Sequence, residues 1–220
     1  MSSDVYRVAV VCDTHVGDTL AAIPDGLISA VQGVDLILHA GDVTDSLVLD
    51  ALGVCAPVIA VQGNHDRDAG LVLPTQRVVT IGGIRIGMAH GDRHWIAEYA
   101  SILRGLLRGH PSMHGAARTL VRRLGHVDVI IFGHFHCPYL AWWGQTLVFS
   151  PGAVYVVDAD PEIEVRGMRR RLVHRFRRGV PESGRIPSIG ILEIRDGVVT
   201  PSVVPIPGAL RPASVPTGRN

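Results

Sequence analysis

The residues able to do chemistry fall into five short blocks: Asp13-Thr14-His15, Gly41-Asp42, Gly63-Asn64-His65-Asp66, His90, and Gly133-His134-Phe135-His136. Together they offer imidazoles, carboxylates and one amide, without a thiolate. That donor set suits a borderline divalent cation such as Mn, Fe, Zn, Co or Ni better than calcium or a cysteine-built zinc site. There are more donors than one ion can use, so two divalent metal ions are expected. Taken singly, each block has an ordinary explanation. Gly-Asp is common turn chemistry, Gly63–Asp66 reads as a polar turn, and a lone strand-end histidine is usually a satisfied one. Their recurrence at five strand ends is what those explanations leave out.

Elements must carry these blocks to one place. Val5–Val11, Asp35–His39, Pro57–Val61, Ile84–Ala89 and Val129–Phe132 are apolar, largely β-branched runs that read as buried strands, and each leads into one block. Arg77–Ile81 pairs with Ile84–Ala89 across Gly82-Gly83, a two-residue hairpin signal. Helical spacing runs from Leu20 to Val31, with Pro24 marking the start, and again over Ser46–Leu52, Trp95–Leu107 and Met113–Leu124. Leu140–Ser150, Ala153–Val157, Ile189–Arg195 and Val198–Val204 read as β. Strands alternating with helices imply a parallel sheet covered on both faces, and the hairpins add antiparallel strands. The expected class is mixed α/β. In open α/β sheets, ligands bind beyond the C-terminal ends of the strands. Along an extended backbone, residues i and i+2 point to one side. Asp13 with His15, and His134 with His136, would thereby aim together, with Cys12 turned away.

Bulk properties narrow the function class. A length of 220 residues with 47% apolar and 5% aromatic residues suits one domain with a core of Val, Ile, Leu and Ala. No apolar run approaches the ~18 residues of a membrane span, and no secretory leader pattern is visible. Cys12, Cys55 and Cys137 form neither an even disulfide framework nor a CxxC pair, which points to reduced thiols and a cytoplasmic setting. The net charge of +1 names no partner.

At these blocks the sequence resembles the calcineurin-like metallophosphoesterase superfamily, whose pattern is D-x-H, G-D, G-N-H-D/E, H and G-H-x-H. The compact length, the LHAGD segment ending at Asp42 and Ser150-Pro151-Gly152-Ala153 look most like its small bacterial and archaeal phosphodiesterase branch. The resemblance implies a four-layer αββα sandwich of two mixed β-sheets flanked by helices. It implies that one metal takes Asp13, His15, Asp42 and His136, and the other Asp42, Asn64, His90 and His134, with manganese the leading choice. It further implies in-line attack on phosphorus by a hydroxide bridging ions about 3.5–4 Å apart. Asn64 would also donate to phosphate. His65, not needed as a ligand, would be the general acid, a role that an ordinary histidine pKa of about 6.5 permits. Its orienting partner would be Asp45 or Asp66. His39 reads as core or as support for the ligands.

The expected organisation is a single metallophosphoesterase domain over residues 1–220, with a helical insertion at about 93–125 and an Arg-rich insertion at about 159–187. Asp92 follows His90 where relatives commonly carry histidine, which leaves its role open. Arg166–Arg178 holds seven arginines in thirteen residues. It reads as a solvated insertion or as a surface for an anionic partner. The expected substrate is a small phosphate ester, with nucleotides among the candidates. A phosphomonoesterase, a nuclease tracking nucleic acid with the Arg-rich stretch, and a non-catalytic scaffold of the same fold are the alternatives. No membrane partner is expected, and a homo-oligomer is one use for the apolar surface of the extra helices; a lid and ordinary core packing are the others.

Overall fold

The structure is a computed structural model that describes residues 5–108, 112–156, 171–172, 174–175 and 178–207. Its first sheet is built on β1 (Val5–Val11), which pairs in parallel with β2 (Leu36–His39), itself parallel to β3 (Val58–Ala60). On the other side of β1 runs the antiparallel hairpin of β9 (Ser188–Arg195) and β10 (Val198–Pro205). The second sheet has β5 (Ile84–Ala89), β6 (Val129–Ile131) and β8 (Thr146–Pro151) in parallel, edged by antiparallel β4 (Gln76–Ile81) and β7 (Pro138–Trp143). The spatial orders are β10-β9-β1-β2-β3 and β4-β5-β6-β8-β7.

Strand periodicity assigns every side chain to a layer. In β1, Val8 and Val10 join Leu38, Ile86, Met88, Val129, Ile131, Leu147 and Phe149 between the two sheets. Ala9 and Val11 face outward to meet Leu27 of α1 (Asp25–Ala30) and Val48 and Leu52 of α2 (Ser46–Gly53). On the far side, Ile130 and Phe132 meet Ala117, Leu120 and Leu124 of α5 (His114–Leu124). Helix, sheet, sheet and helix thus form the αββα sandwich. Each fully buried Leu, Ile or Phe in these clusters contributes about 1.5–3 kcal/mol, and a one-residue slip of β1 would turn that stabilisation over to the wrong face.

Three local expectations are corrected. Gly63–Asp66 is not a plain turn but leads into a short helix, α3 (Asn64–Asp68). Residues 153–156 form no strand; Ala153, Val154 and Tyr155 instead plug the core beside β9, and Val157 lies outside the described residues. The apolar stripe of α4 (Trp95–Arg108) is not absorbed by the core, since Ile96, Leu103 and Leu107 are exposed. Most of the Arg-rich stretch (residues 166–170, 173, 176 and 177) lies outside the described residues. Among the described residues, no helix is long and apolar enough to cross a membrane.

Candidate metal centre

The parallel strands of both sheets end at the same side of the sandwich, and the five polar blocks meet there. Ligand atoms of Asp13, His15, Asp42 and His136 lie within 4.8 Å of one another, and so do those of Asp42, His90 and His134. Asp42 belongs to both groups: its Oδ2 is 3.4 Å from His15 Nε2 and 3.0 Å from His90 Nε2. Asn64 Oδ1 is 3.1 Å from His134 Nδ1, which sets the amide beside the second group. Across the first group, His136 Nε2 is 3.5 Å from Asp13 Oδ1.

The backbone route to this convergence differs from the extended one expected. Asp13, His15, Asp42, His134 and His136 all have φ between +49° and +75°. Non-glycine residues seldom take this left-handed conformation, at a cost on the order of 1–3 kcal/mol each, and Asp and His are among those that tolerate it best. Side-chain–backbone contacts hold the loops there. His134 N–H donates to the carboxylate of Asp13, at 2.9 and 3.1 Å from its two oxygens. The N–H of His65 donates to Asp42 Oδ1 at 2.9 Å. Asp66, fully buried, accepts from three backbone amides: Asp42 and Gly63 at Oδ2 (2.9 and 2.7 Å) and Thr44 at Oδ1 (2.7 Å). It clamps the Asp42 loop to the start of α3.

Two glycines make room for the carboxylates. A Cβ at Gly133 would stand 2.7 Å from Asp13 Oδ2, and one at Gly63 would overlap Asp42 Oδ1. We therefore expect Gly63→Ala to displace Asp42 and weaken divalent-metal binding by about 10–100-fold, as loss of a ligand's support does elsewhere. Calorimetric titration of the purified variant with Mn checks this, and wild-type affinity would contradict it.

The residues fit a metal pair on grounds internal to the chain. His15 Nε2 and His90 Nε2 are buried and both face Asp42 Oδ2, at 3.4 and 3.0 Å, without a well-directed hydrogen bond, a condition that needs a reason. In each ring the other nitrogen is engaged: His15 Nδ1 with Asp18 Oδ2 at 3.2 Å, and His90 Nδ1 with the Ala40 carbonyl at 2.9 Å. His136 follows suit, with Nδ1 2.8 Å from the Tyr155 hydroxyl. Metal-ligating histidines are held in this way, one nitrogen anchored and the other presented.

Electrostatics agree. Burial raises the Asp13 carboxyl above its ordinary value. Burial opposes the charge on Asp42 too, but His90, His15 and His65 outweigh it and hold that carboxyl below the usual range. Burial pulls His90 down, yet the carboxylates of Asp42 and Asp13 win and raise it to about 9. A cation bound here would take over from that proton in balancing the carboxylates. His39, by contrast, is pushed down to about 4 by burial. It is neutral, accepting from Gly41 N–H and contacting Thr14 Oγ1, and so supports the loop without being a ligand. Cys12 donates to the Gly152 carbonyl, and burial, with the Asp13 carboxylate beside it, keeps its thiol protonated.

Asp45 and Asp66, the expected orienting partners of His65, make other contacts. Asp45 is the N-cap of α2 and accepts from Leu47 N–H at 2.9 Å, while Asp66 is committed to its three amides. The carboxylate that meets His65 is Asp18, with Oδ2 2.7 Å from Nδ1. Asp18 and Tyr155 were not among the expected site residues. The signal for Asp18 was a carboxylate three residues after His15, in the Gly17 turn; for Tyr155 it was a hydroxyl in an apolar run, which needs a partner when buried. Asp92 also finds its role: Oδ2 is 2.6 Å from Arg67 Nη2, tying the loop after β5 to α3.

Comparison with known proteins agrees with this geometry. Residues 6–167 match the calcineurin-like phosphoesterase superfamily domain. A protein of Methanothermobacter thermautotrophicus described as a "probable metallophosphoesterase" is 33% identical over 159 residues, covering 72% of this chain and 83% of that protein. A Methanocaldococcus jannaschii protein of the same description is 36% identical over 146 residues, covering 66% and 67%. Among solved structures, vacuolar protein sorting 29 from Cryptosporidium parvum shares the fold with a TM-score of 0.60 at 17% identity, covering 91% of this chain and 97% of its own. With the matched residues spanning all five blocks, four of which build the two Asp42-sharing clusters, the chain belongs to the calcineurin-like phosphoesterase superfamily.

Proposed function

We propose that this protein is a metal-dependent phosphodiesterase acting on a small phosphate ester, with manganese as the working metal and the cytoplasm as its setting. One observation carries the hydrolase reading: two His/Asp clusters that share Asp42, with His65 at their rim. Asp13, His15, Asp42 and His136 would hold one ion, and Asp42, Asn64, His90 and His134 the other. The ions, when bound, supply Lewis acidity and activate water near neutral pH. The chain supplies the rest. Asn64 directs its oxygen toward His134, which leaves its NH2 to donate to a phosphate oxygen. His65, half exposed and beside the clusters, would give a proton to the leaving oxygen. The preference for diesters follows the likeness of the LHAGD and SPGA segments to the small phosphodiesterases. A scaffold of the same fold is expected to have lost ligands or the acid, whereas here both clusters and His65 are intact.

The test is direct. Mn-loaded protein should hydrolyse bis(p-nitrophenyl) phosphate faster than p-nitrophenyl phosphate, and EDTA should stop both. A faster monoester would move the assignment to a phosphomonoesterase. A metal-replete protein inert on every ester would favour the scaffold.

A further inference from the structure

One oxygen in the structure touches two imidazoles. Asp18 Oδ2 lies 2.7 Å from His65 Nδ1 and 3.2 Å from His15 Nδ1, and the two rings sit edge to face with centroids 4.6 Å apart. His15 is buried in the first cluster, whereas Asp18 and His65 have side chains 45% and 43% exposed. A contact between two half-exposed groups would ordinarily be weak and poorly fixed. Here the buried His15 ring anchors the carboxylate, and the carboxylate in turn anchors His65. The other nearby carboxylates are committed elsewhere, Asp45 to the α2 cap and Asp66 to three backbone amides.

We propose that Asp18 is the positioning residue for proton donation: its Oδ2 holds His65 by Nδ1–H and so presents Nε2–H to the leaving oxygen, while linking that donor to His15 in the metal cluster. This rests on the phosphoesterase reading above. The step balances simply. As the new O–P bond forms and the P–O bond to the leaving group breaks, the departing oxygen keeps the bonding pair and takes the proton from His65 Nε2. His65 is left neutral and regains a proton from water. The carboxylate accepts from Nδ1–H and so fixes the tautomer and orientation of the ring.

The dependence is on leaving group. A p-nitrophenolate departs without help, whereas an alkoxide needs the proton. The experiment measures Asp18→Ala and Asp18→Asn in the full chain, with rates expressed per bound metal. Both variants should lose about 100-fold on a diester with an alkyl leaving group and less than about tenfold on bis(p-nitrophenyl) phosphate. In a His65→Ala background, Asp18→Ala should cost nothing further. Independently of turnover, the His65 ring nitrogens of the Zn-loaded protein, followed by 15N NMR, should show Nδ1 protonated in the wild type and a mixture of tautomers in Asp18→Ala. Equal losses on both leaving groups, or an unchanged His65 tautomer, would overturn the assignment. If the wild type cleaves no ester, the phosphoesterase reading fails by itself, and the NMR result still decides whether Asp18 positions His65.

Discussion

Replacing Asp42 with alanine should depress ester hydrolysis by on the order of 10³-fold or more, because a metal pair is worth several kcal/mol of transition-state stabilisation. No other residue among those described belongs to both ligand groups. Its Oδ2 faces His15 and His90, and its Oδ1 takes the N–H of His65, so one side chain joins both clusters to α3. Without it, Asp13 alone supplies carboxylate charge to the first cluster and none remains in the second. Bound metal, measured by mass spectrometry on the purified variant, should fall along with the rate. A variant that keeps both its metal and its turnover would show that Asp42 does not bridge anything.

His65→Ala should behave differently. It removes no member of the two Asp42-sharing clusters, so metal content should stay at the wild-type level. Turnover of esters with alkyl leaving groups should drop by about 10²–10⁴-fold, the usual worth of a placed general acid. The loss should shrink toward nothing as the leaving group improves. A uniform loss across leaving groups would instead mean that His65 binds the substrate or shapes the site. The contrast between the two variants is itself diagnostic: one should empty the centre, the other should leave it full and slow.

Much of this centre was legible in the chain because its blocks obey local rules. Polar donors follow directly on buried strands, and a strand must end somewhere. Val5–Val11 and Ile84–Ala89 were read to the residue from apolar, β-branched content, and the start of α1 from Pro24. What escaped was set by tertiary contact. Asn64–Asp68 is polar throughout and shows no helical stripe; it is helical because Asp66 reaches back to the Gly63 amide. Ala153–Tyr155 is apolar enough for a strand, yet its place is a plug beside Ser188, whose N–H bonds the Ala153 carbonyl. The ligands converge through left-handed residues, a conformation that no residue pattern announced, although Gly133 beside His134 hinted at close approach. For His65 the chain offered Asp45 and Asp66 as partners; Asp18, distant in sequence, comes within 2.7 Å of its Nδ1 only through the fold.

The threefold grip of Asp66 bears on how such a centre is built and emptied. Because amides of three separate positions are tied to one buried carboxylate, the loops carrying Asp42 and Asn64 are braced by the polypeptide itself. A divalent cation would then meet loops that are already braced. Chelation and reloading should therefore leave the fold in place, which circular dichroism before and after EDTA would check.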